Sequence, residues 1–236
     1  MKIEGITVCV QYADFFAETI DRMCHAVDQL FVVTTADDKD TQKICLNRPK
    51  ITVVETDAFY RNGMKFSVGA GVNEGLKACK RDDWALVLDA DTALPWHTRE
   101  ALEFADLNPQ KLYGVDRATA WGRKMWDAVK GMDQYQCPLV VSPPLRLGLR
   151  VSLSQHGGWF PCGYFNLWHP GVSGIHDYPI HAAGTAEGSD MMQAARWPRR
   201  RRELLPEIIA IQLATSNEAV PIRGANWLGR TTPLFV

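Results

Sequence analysis

Trp84-Ala85-Leu86-Val87-Leu88-Asp89-Ala90-Asp91-Thr92-Ala93-Leu94-Pro95 is the stretch whose reading decides the fold. Trp84 to Leu88 is an unbroken apolar run of strand length, as expected for a strand buried on both faces. It ends in two carboxylates separated only by Ala90, and Pro95 stops any continuation of the strand. Ligands of open α/β sheets bind beyond the carboxyl ends of the strands, which is where this acidic pair falls. Two carboxylates at such a place suit a hard divalent cation such as Mg²⁺ or Mn²⁺, which takes oxygen ligands and often shares them with substrate phosphates. An Asp-rich turn closing the strand is the plainer alternative.

Upstream, the apolar pattern alternates strand and helix. Gly5–Val10 reads as a strand, and Asp14 could cap a helix with Phe15, Ile20, Met23 and Val27 on one face. Leu30–Thr34 reads as a second strand, Lys39–Leu46 as a short helix and Ile51–Val54 as a third strand. A loop at Phe59–Gly63 then leads to a helix over Met64–Cys79 and into the central strand. This β-α-β-α-β-α-β order predicts a mostly parallel sheet flanked by helices.

Downstream, the pattern predicts helices at His97–Ala105, Trp121–Val129 and Ser189–Arg196, with strands at Leu112–Val115 and Ile208–Leu213. Cys137–Pro179 is rich in Gly, Pro and aromatics and reads as irregular; such long stretches in compact domains are usually functional. Asn226–Val236 is a tail of similar composition.

At 236 residues the chain suffices for one large α/β domain. Its net charge of -1 gives no overall drive toward nucleic acid or an anionic membrane, which leaves only local patches such as Arg199–Arg202. Six cysteines without a CxxC pair argue against structural zinc, and no apolar run approaches a membrane span. Met1 leads straight into a strand-like run rather than a leader, so a cytoplasmic setting with reduced thiols is expected.

Four features in order now carry a resemblance: the strand Ile6–Val10; Asp37-Asp38 after the second strand; Asn62, Gly63, Lys65, Gly69 and Asn73 ahead of the central strand; and Leu88-Asp89-Ala90-Asp91 as a DxD motif. Residues 5–96 resemble the GT-A fold glycosyltransferases, in particular family-2-like enzymes that use nucleotide sugars. The resemblance implies a single GT-A-like, Rossmann-type domain, its nucleotide-sugar half at 1–96 and an irregular acceptor half at 97–236. It implies Asp37, Asp38, Asn62, Lys65, Asn73 and Asp89 as donor-binding residues, and Asp89, Asp91 and Gln212 as metal ligands for Mn²⁺ or Mg²⁺. Gln212 stands where many relatives carry a metal-binding His, in Ile211-Gln212-Leu213. Glu187-Gly188-Ser189-Asp190 is similar to the family's acidic segment opening an acceptor-side helix, which makes Asp190 the implied catalytic base and Glu187 the second choice. Gly163-Tyr164-Phe165-Asn166 resembles the small-residue and aromatic segment near the donor sugar.

The implied activity is metal-dependent transfer of a sugar from a nucleotide sugar, a UDP-sugar being the family's commonest donor. Lys65 or Arg61 could add positive charge near the phosphates. The acceptor is not legible; the basic run beyond Asp190 makes a nucleic acid or another polyanion one candidate, as for a phage-encoded enzyme that modifies DNA in the host cytoplasm. Each assignment has a plainer counterpart. Asp190 and the Asp37-Asp38 pair also fit helix caps, Lys65 a solvated helix residue, and Trp159, Trp168 and Tyr178 packed core. His156, His169, His176 and His181 read as ordinary surface or packing residues. A nucleotidyltransferase is a rival, although Gln11-Tyr12-Ala13-Asp14 offers no Gly-rich phosphate loop. A degenerate transferase that binds a sugar or nucleic acid without turnover is another, with Gln212 as its best support.

Overall fold

The structure, a computed structural model, describes residues 1–80, 82–132, 161, 164–181 and 188–214. The first half alternates β1 (Ile3–Val8), α1 (Ala13–Ala26), β2 (Gln29–Thr34), α2 (Lys39–Cys45), β3 (Ile51–Glu55), α3 (Val68–Ala78) and β4 (Trp84–Asp89). A 3₁₀ turn at Ala58–Gly63 precedes α3. The second half adds β5 (Thr92–Ala93), α4 (Thr98–Phe104), β6 (Leu112–Trp121), α5 (Gly122–Val129), β7 (Asn166–Trp168), α6 (Pro170–Ser173), α7 (Ser189–Ala195) and β8 (Arg202–Ala214).

The strands form one eight-stranded sheet in the order β3-β2-β1-β4-β7-β6-β8-β5. β1 to β4 pair in parallel, as do β6 and β8. β7 and β5 run antiparallel to their neighbours, so the sheet is mixed.

β4 is apolar throughout because both of its faces are covered. Leu86 and Leu88 pack with Phe15, Phe16, Ile20 and Met23 of α1, whereas Ala85 and Val87 pack with Phe59, Val72, Leu76, Trp168 and Trp197. Each such side chain, fully withdrawn from water, contributes about 1.5–3 kcal/mol before conformational entropy is counted. Asp89 shares the parity of Ala85 and Val87, so it leaves β4 toward the α3 and α7 side.

Several elements differ from the sequence-based expectation for local reasons. Asp14 lies inside the first turn of α1 rather than capping it; Tyr12 holds the cap position without a side-chain bond to the helix backbone. α3 starts at a Ser67 cap, whose Oγ accepts the Ala70 N–H at 3.3 Å, and this leaves Met64 to Phe66 outside the helix. β6 runs to Trp121 instead of Val115 and carries a register irregularity at Val115/Asp116. β8 starts at Arg202 rather than Ile208, extending through Pro206. β7, inside the stretch read as irregular, fills the gap between β4 and β6.

The contact of α3 with the 175–181 segment is made by close approach. A Cβ on Gly69 would lie 2.1 Å from the Pro179 carbonyl oxygen, and one on Gly71 would lie 2.1 Å from the Phe59 ring. Gly69→Ala forces backbone apart at a contact that has no flexible side chain to yield. It is expected to destabilise by about 1–3 kcal/mol, read from urea unfolding. An unchanged midpoint would mean that this contact does not support the fold.

Candidate active site

Beyond Asp89 the chain turns sharply, and two distant elements hold the turn. Thr19 Oγ1 of α1 donates to the Ala90 carbonyl at 2.6 Å, and the Leu213 N–H of β8 donates to the Asp91 carbonyl at 2.8 Å. Arg22 donates to the Leu94 carbonyl at 2.9 Å and stacks between Trp96 and Trp126, 4.9 and 5.6 Å from their centres. The backbone polar groups of the turn are thus paired, and its carboxylates are held in place.

Asp91 is buried, only 5 % exposed. Its Oδ2 accepts the Tyr12 hydroxyl at 3.2 Å and lies 3.5 Å from Gln212 Nε2. Tyr12 is stacked on Phe15 at 4.4 Å, which fixes the ring. Gln212 pairs with Thr92 on one side and Thr119 on the other, so the sheet delivers it to the acidic pair. Asp91 Oδ1 and Gln212 Oε1 are both buried and without a hydrogen-bond partner among the described residues. Two orphaned acceptor oxygens beside a second carboxylate fit a hard cation, which takes oxygen donors. Among the described residues no group of three or more His, Cys, Asp or Glu is placed to hold a metal.

The electrostatics agree with a site built to receive positive charge. Burial pushes both carboxyl groups above the ordinary range. For Asp89 the charges of Asp91 and then Asp190 push further up, while Arg117 pulls down. Asp91 is pulled back by its bonds to Gln212 and Tyr12 and by Arg117. Asp190, in the first turn of α7, is therefore near enough to Asp89 for their charges to couple. Its Oδ1 accepts the Met191 N–H at 2.8 Å.

Solved structures share this architecture. A mannosyltransferase from Pyrobaculum calidifontis, PcManGT, solved in complex with GDP-Man and Mn²⁺, superposes with a TM-score of 0.57 at 16% identity over 94% of this chain and 58% of that one. Residues 1–349 of S. aureus TarS superpose with a TM-score of 0.59 at 14% identity over 90% of this chain and 60% of that one. The chain has the GT-A glycosyltransferase fold. It spans about three-fifths of the length of these two structures. At the level of sequence, no protein-family model and no curated protein matches it.

Within the GT-A fold the sequence-predicted residues divide into two groups. Asp89, Asp91, Asp190 and Gln212 are brought together. Asp38 is occupied elsewhere: its carboxylate accepts from the Gln11 N–H at 2.6 Å, the Thr41 N–H at 3.1 Å, and the hydroxyls of Thr41 and Thr34 at 2.8 and 3.2 Å. It caps α2 and ties the loop after β1 to the end of β2. Asp37 is exposed, and bonding to Thr35 lowers its pKa. Asn62 is exposed and left-handed, with φ 58°, and Lys65 is exposed ahead of α3. Arg61 is engaged by Asp57 at 2.5 Å. Asn73 makes a reciprocal pair with the Tyr178 backbone, donating to its carbonyl at 2.8 Å and accepting its N–H at 2.6 Å. Glu187 and Gly163 lie outside the described residues, as do His156 and Trp159. Trp168 and Tyr178 are core, and Asp177 is paired with Arg196 at 2.8 Å.

Sequence reasoning missed Tyr12, Thr19 and Arg117, which all converge on the acidic turn. Their positions carry no local motif; the only available hint was that Tyr12 follows the first strand, at the carboxyl end of the sheet where ligands of open α/β folds bind. The Arg199–Arg201 turn precedes the start of β8 at Arg202, which is ten residues before Gln212, or about 30 Å along a strand at roughly 3.3 Å per residue. A mostly apolar cavity of about 350 Å³ between α4 and the first half of β8, lined by Phe104, Leu205 and Pro206, is likewise away from the pair.

Two outcomes follow from these bonds. A carboxyl group whose folded pKa is raised adds stability below its ordinary pKa and loses it as pH rises through the folded value. Metal-free Asp89→Asn is therefore expected to melt higher than the parent chain at pH 8, with the gap closing toward pH 4. A lower melting temperature at pH 8 would contradict this account of the pair. Asn73→Ala leaves two partly buried backbone groups unmatched and is expected to cost about 1–3 kcal/mol in urea unfolding. Nucleotide affinity measured on that variant should stay unchanged, because the amide is saturated by Tyr178.

Proposed function

We propose that this chain is a metal-dependent glycosyltransferase that moves a sugar from a nucleotide sugar to a hydroxyl acceptor. The observation that carries the reading is the pair of half-buried Asp89 and buried Asp91 at the end of the central strand of a GT-A fold, with Asp91 Oδ1 and Gln212 Oε1 both lacking partners among the described residues. Asp89, Asp91 and Gln212 would hold Mn²⁺ or Mg²⁺. Bound there, the ion supplies charge stabilisation to the departing diphosphate. The mannosyltransferase that shares the fold was solved with Mn²⁺ and GDP-Man, which supports both the ion and the donor class.

In the inverting form of the reaction, the sugar's anomeric carbon loses its bond to the diphosphate oxygen and gains one to the acceptor oxygen. Asp190 takes the acceptor hydroxyl proton as that bond forms. Its charge coupling to Asp89 supports a place beside the donor sugar. Asp37 and the exposed Tyr60 border the end of β2. Tyr60 packs on Phe59 and Phe66 and senses the Asp37 charge, which suits a nucleobase contact. A UDP-sugar is our first choice of donor. We assign the donor role to residues 1–96 and the acceptor role to residues 97–236; the described strands of both parts belong to one sheet.

No helix among the described residues is long and apolar enough to cross a membrane, so a water-borne acceptor is the simplest proposal. A nucleic acid or other polyanion would have to lie along α7 to touch both Asp190 and the exposed Arg199–Arg201. Gln212, where relatives commonly have His, favours one rival: a module that binds donor without turnover.

Release of nucleoside diphosphate from UDP- and GDP-sugars, with Mn²⁺, Mg²⁺ or EDTA, tests the reading. Metal-dependent release from one donor is expected. Asp91→Asn should lower it by about 100-fold or more. Asp190→Asn should slow transfer by about 100-fold while sparing donor binding. Metal-dependent nucleotide binding with no donor consumed, across a panel of sugar, protein and nucleic-acid acceptors, would favour the binding module.

A further inference from the structure

Among the described residues, Arg117 is the cation whose charge reaches both members of the acidic pair, and nothing in the sequence marks it. It lies on β6 two residues before Thr119, which pairs with Gln212. Alternate residues of a strand share a face, so Arg117 and Thr119 emerge on the same side as Gln212. The guanidinium carbon sits 4.7 Å from the centre of the Tyr164 ring. Tyr164 is itself fixed, buried and donating its hydroxyl to the Val115 carbonyl at 2.8 Å. The Arg117 head is thus held on a rigid platform, and its charge is felt by both Asp89 and Asp91.

A simple counter-charge would close onto a carboxylate. Arg117 does not: among the described residues it forms no salt bridge and no hydrogen bond, and it is only half-buried. Stacking covers the face of a guanidinium and leaves its rim of N–H donors open, the arrangement that binds planar or phosphate oxyanions. The other cations proposed for this role are less well placed. Arg61 is tied to Asp57, and Lys65 is exposed ahead of α3. A divalent ion and two ionised carboxylates sum to no net charge, so a further cation beside them would add to the stabilisation that the ion gives the departing diphosphate.

Resting on the glycosyltransferase reading, we propose that Arg117, stacked on Tyr164, binds the diphosphate of the nucleotide sugar and of the nucleoside diphosphate that leaves. It grips oxyanions from the β6 side while the Asp89–Asp91–Gln212 oxygens serve the opposite charge. Lys at this position keeps the charge but loses the planar fork and much of the stacking.

The test is calorimetric binding of UDP and GDP, with uridine and guanosine as phosphate-free controls, to the full chain in Mn²⁺ and in EDTA. The parent chain is compared with Arg117→Met, Arg117→Lys and Arg117→Gln. Arg117→Met is expected to weaken nucleoside diphosphate binding by about 10- to 100-fold, the range for a hydrogen bond to a charged group. Nucleoside binding should stay unchanged, and Arg117→Lys should recover part of the loss. If Arg117→Met does not fold, judged by circular dichroism, Arg117→Gln gives the same comparison. Equal losses for nucleoside and diphosphate would make Arg117 merely structural and overturn the proposal, as would undiminished diphosphate binding. A parent chain that binds neither diphosphate in either condition would overturn the glycosyltransferase reading and this proposal with it. Binding by the parent that is indifferent to Arg117 overturns the proposal alone.

Discussion

The structure depends on how the turn after β4 is held. A chain that reverses at the end of a buried strand exposes carbonyls that cannot reach water, and each must find a donor. Here the donors come from α1 and β8: Thr19 to Ala90, Arg22 to Leu94, and the Leu213 N–H to Asp91. These bonds join the first helix, the central strand and the last described strand at one point. With the backbone satisfied, the unmatched polarity of the turn is concentrated in side-chain oxygens, above all Asp91 Oδ1.

That concentration is costly to the empty protein. Burial and their closeness to each other disfavour the charged forms of Asp89 and Asp91, and the charge of Asp190 adds to this at Asp89. A fold keeps such an arrangement where a ligand of opposite charge repays it. Tyr12, Gln212 and Arg117 each moderate the cost, through two hydrogen bonds and one fixed charge. The same economy explains why Asp38 and Asn73 are unavailable to a ligand. Asp38 is satisfied by four donors and Asn73 by a backbone amide, and a group already paired gains little from another partner.

The first half of the fold is legible because its signals are local. Ile3–Val8, Gln29–Thr34, Ile51–Glu55 and Trp84–Asp89 are short strand-like runs, each separated from the next by a helix, and together they admit few topologies. The second half hides its strands. Arg202 to Pro206 begins at the end of an arginine run and carries a proline, yet it extends β8; Asp116 to Trp121 carries no strict alternation, yet it continues β6. Pairing with a neighbouring strand supplies the order that local pattern does not. β7 is three residues long and exists because β4 and β6 flank it.

The sequence alone settled that the central strand ends in an acidic pair, and that helices and parallel strands precede it, because apolar periodicity and a Pro stop are properties of neighbouring residues. Only the tertiary structure decided which groups face that pair. Tyr12 reaches Asp91 across 79 positions and Gln212 across 121, while Arg117 arrives through the register of β6 on β8. Those meetings are set by sheet order and strand pairing, which depend on the packing of the whole chain and leave no trace in local spacing.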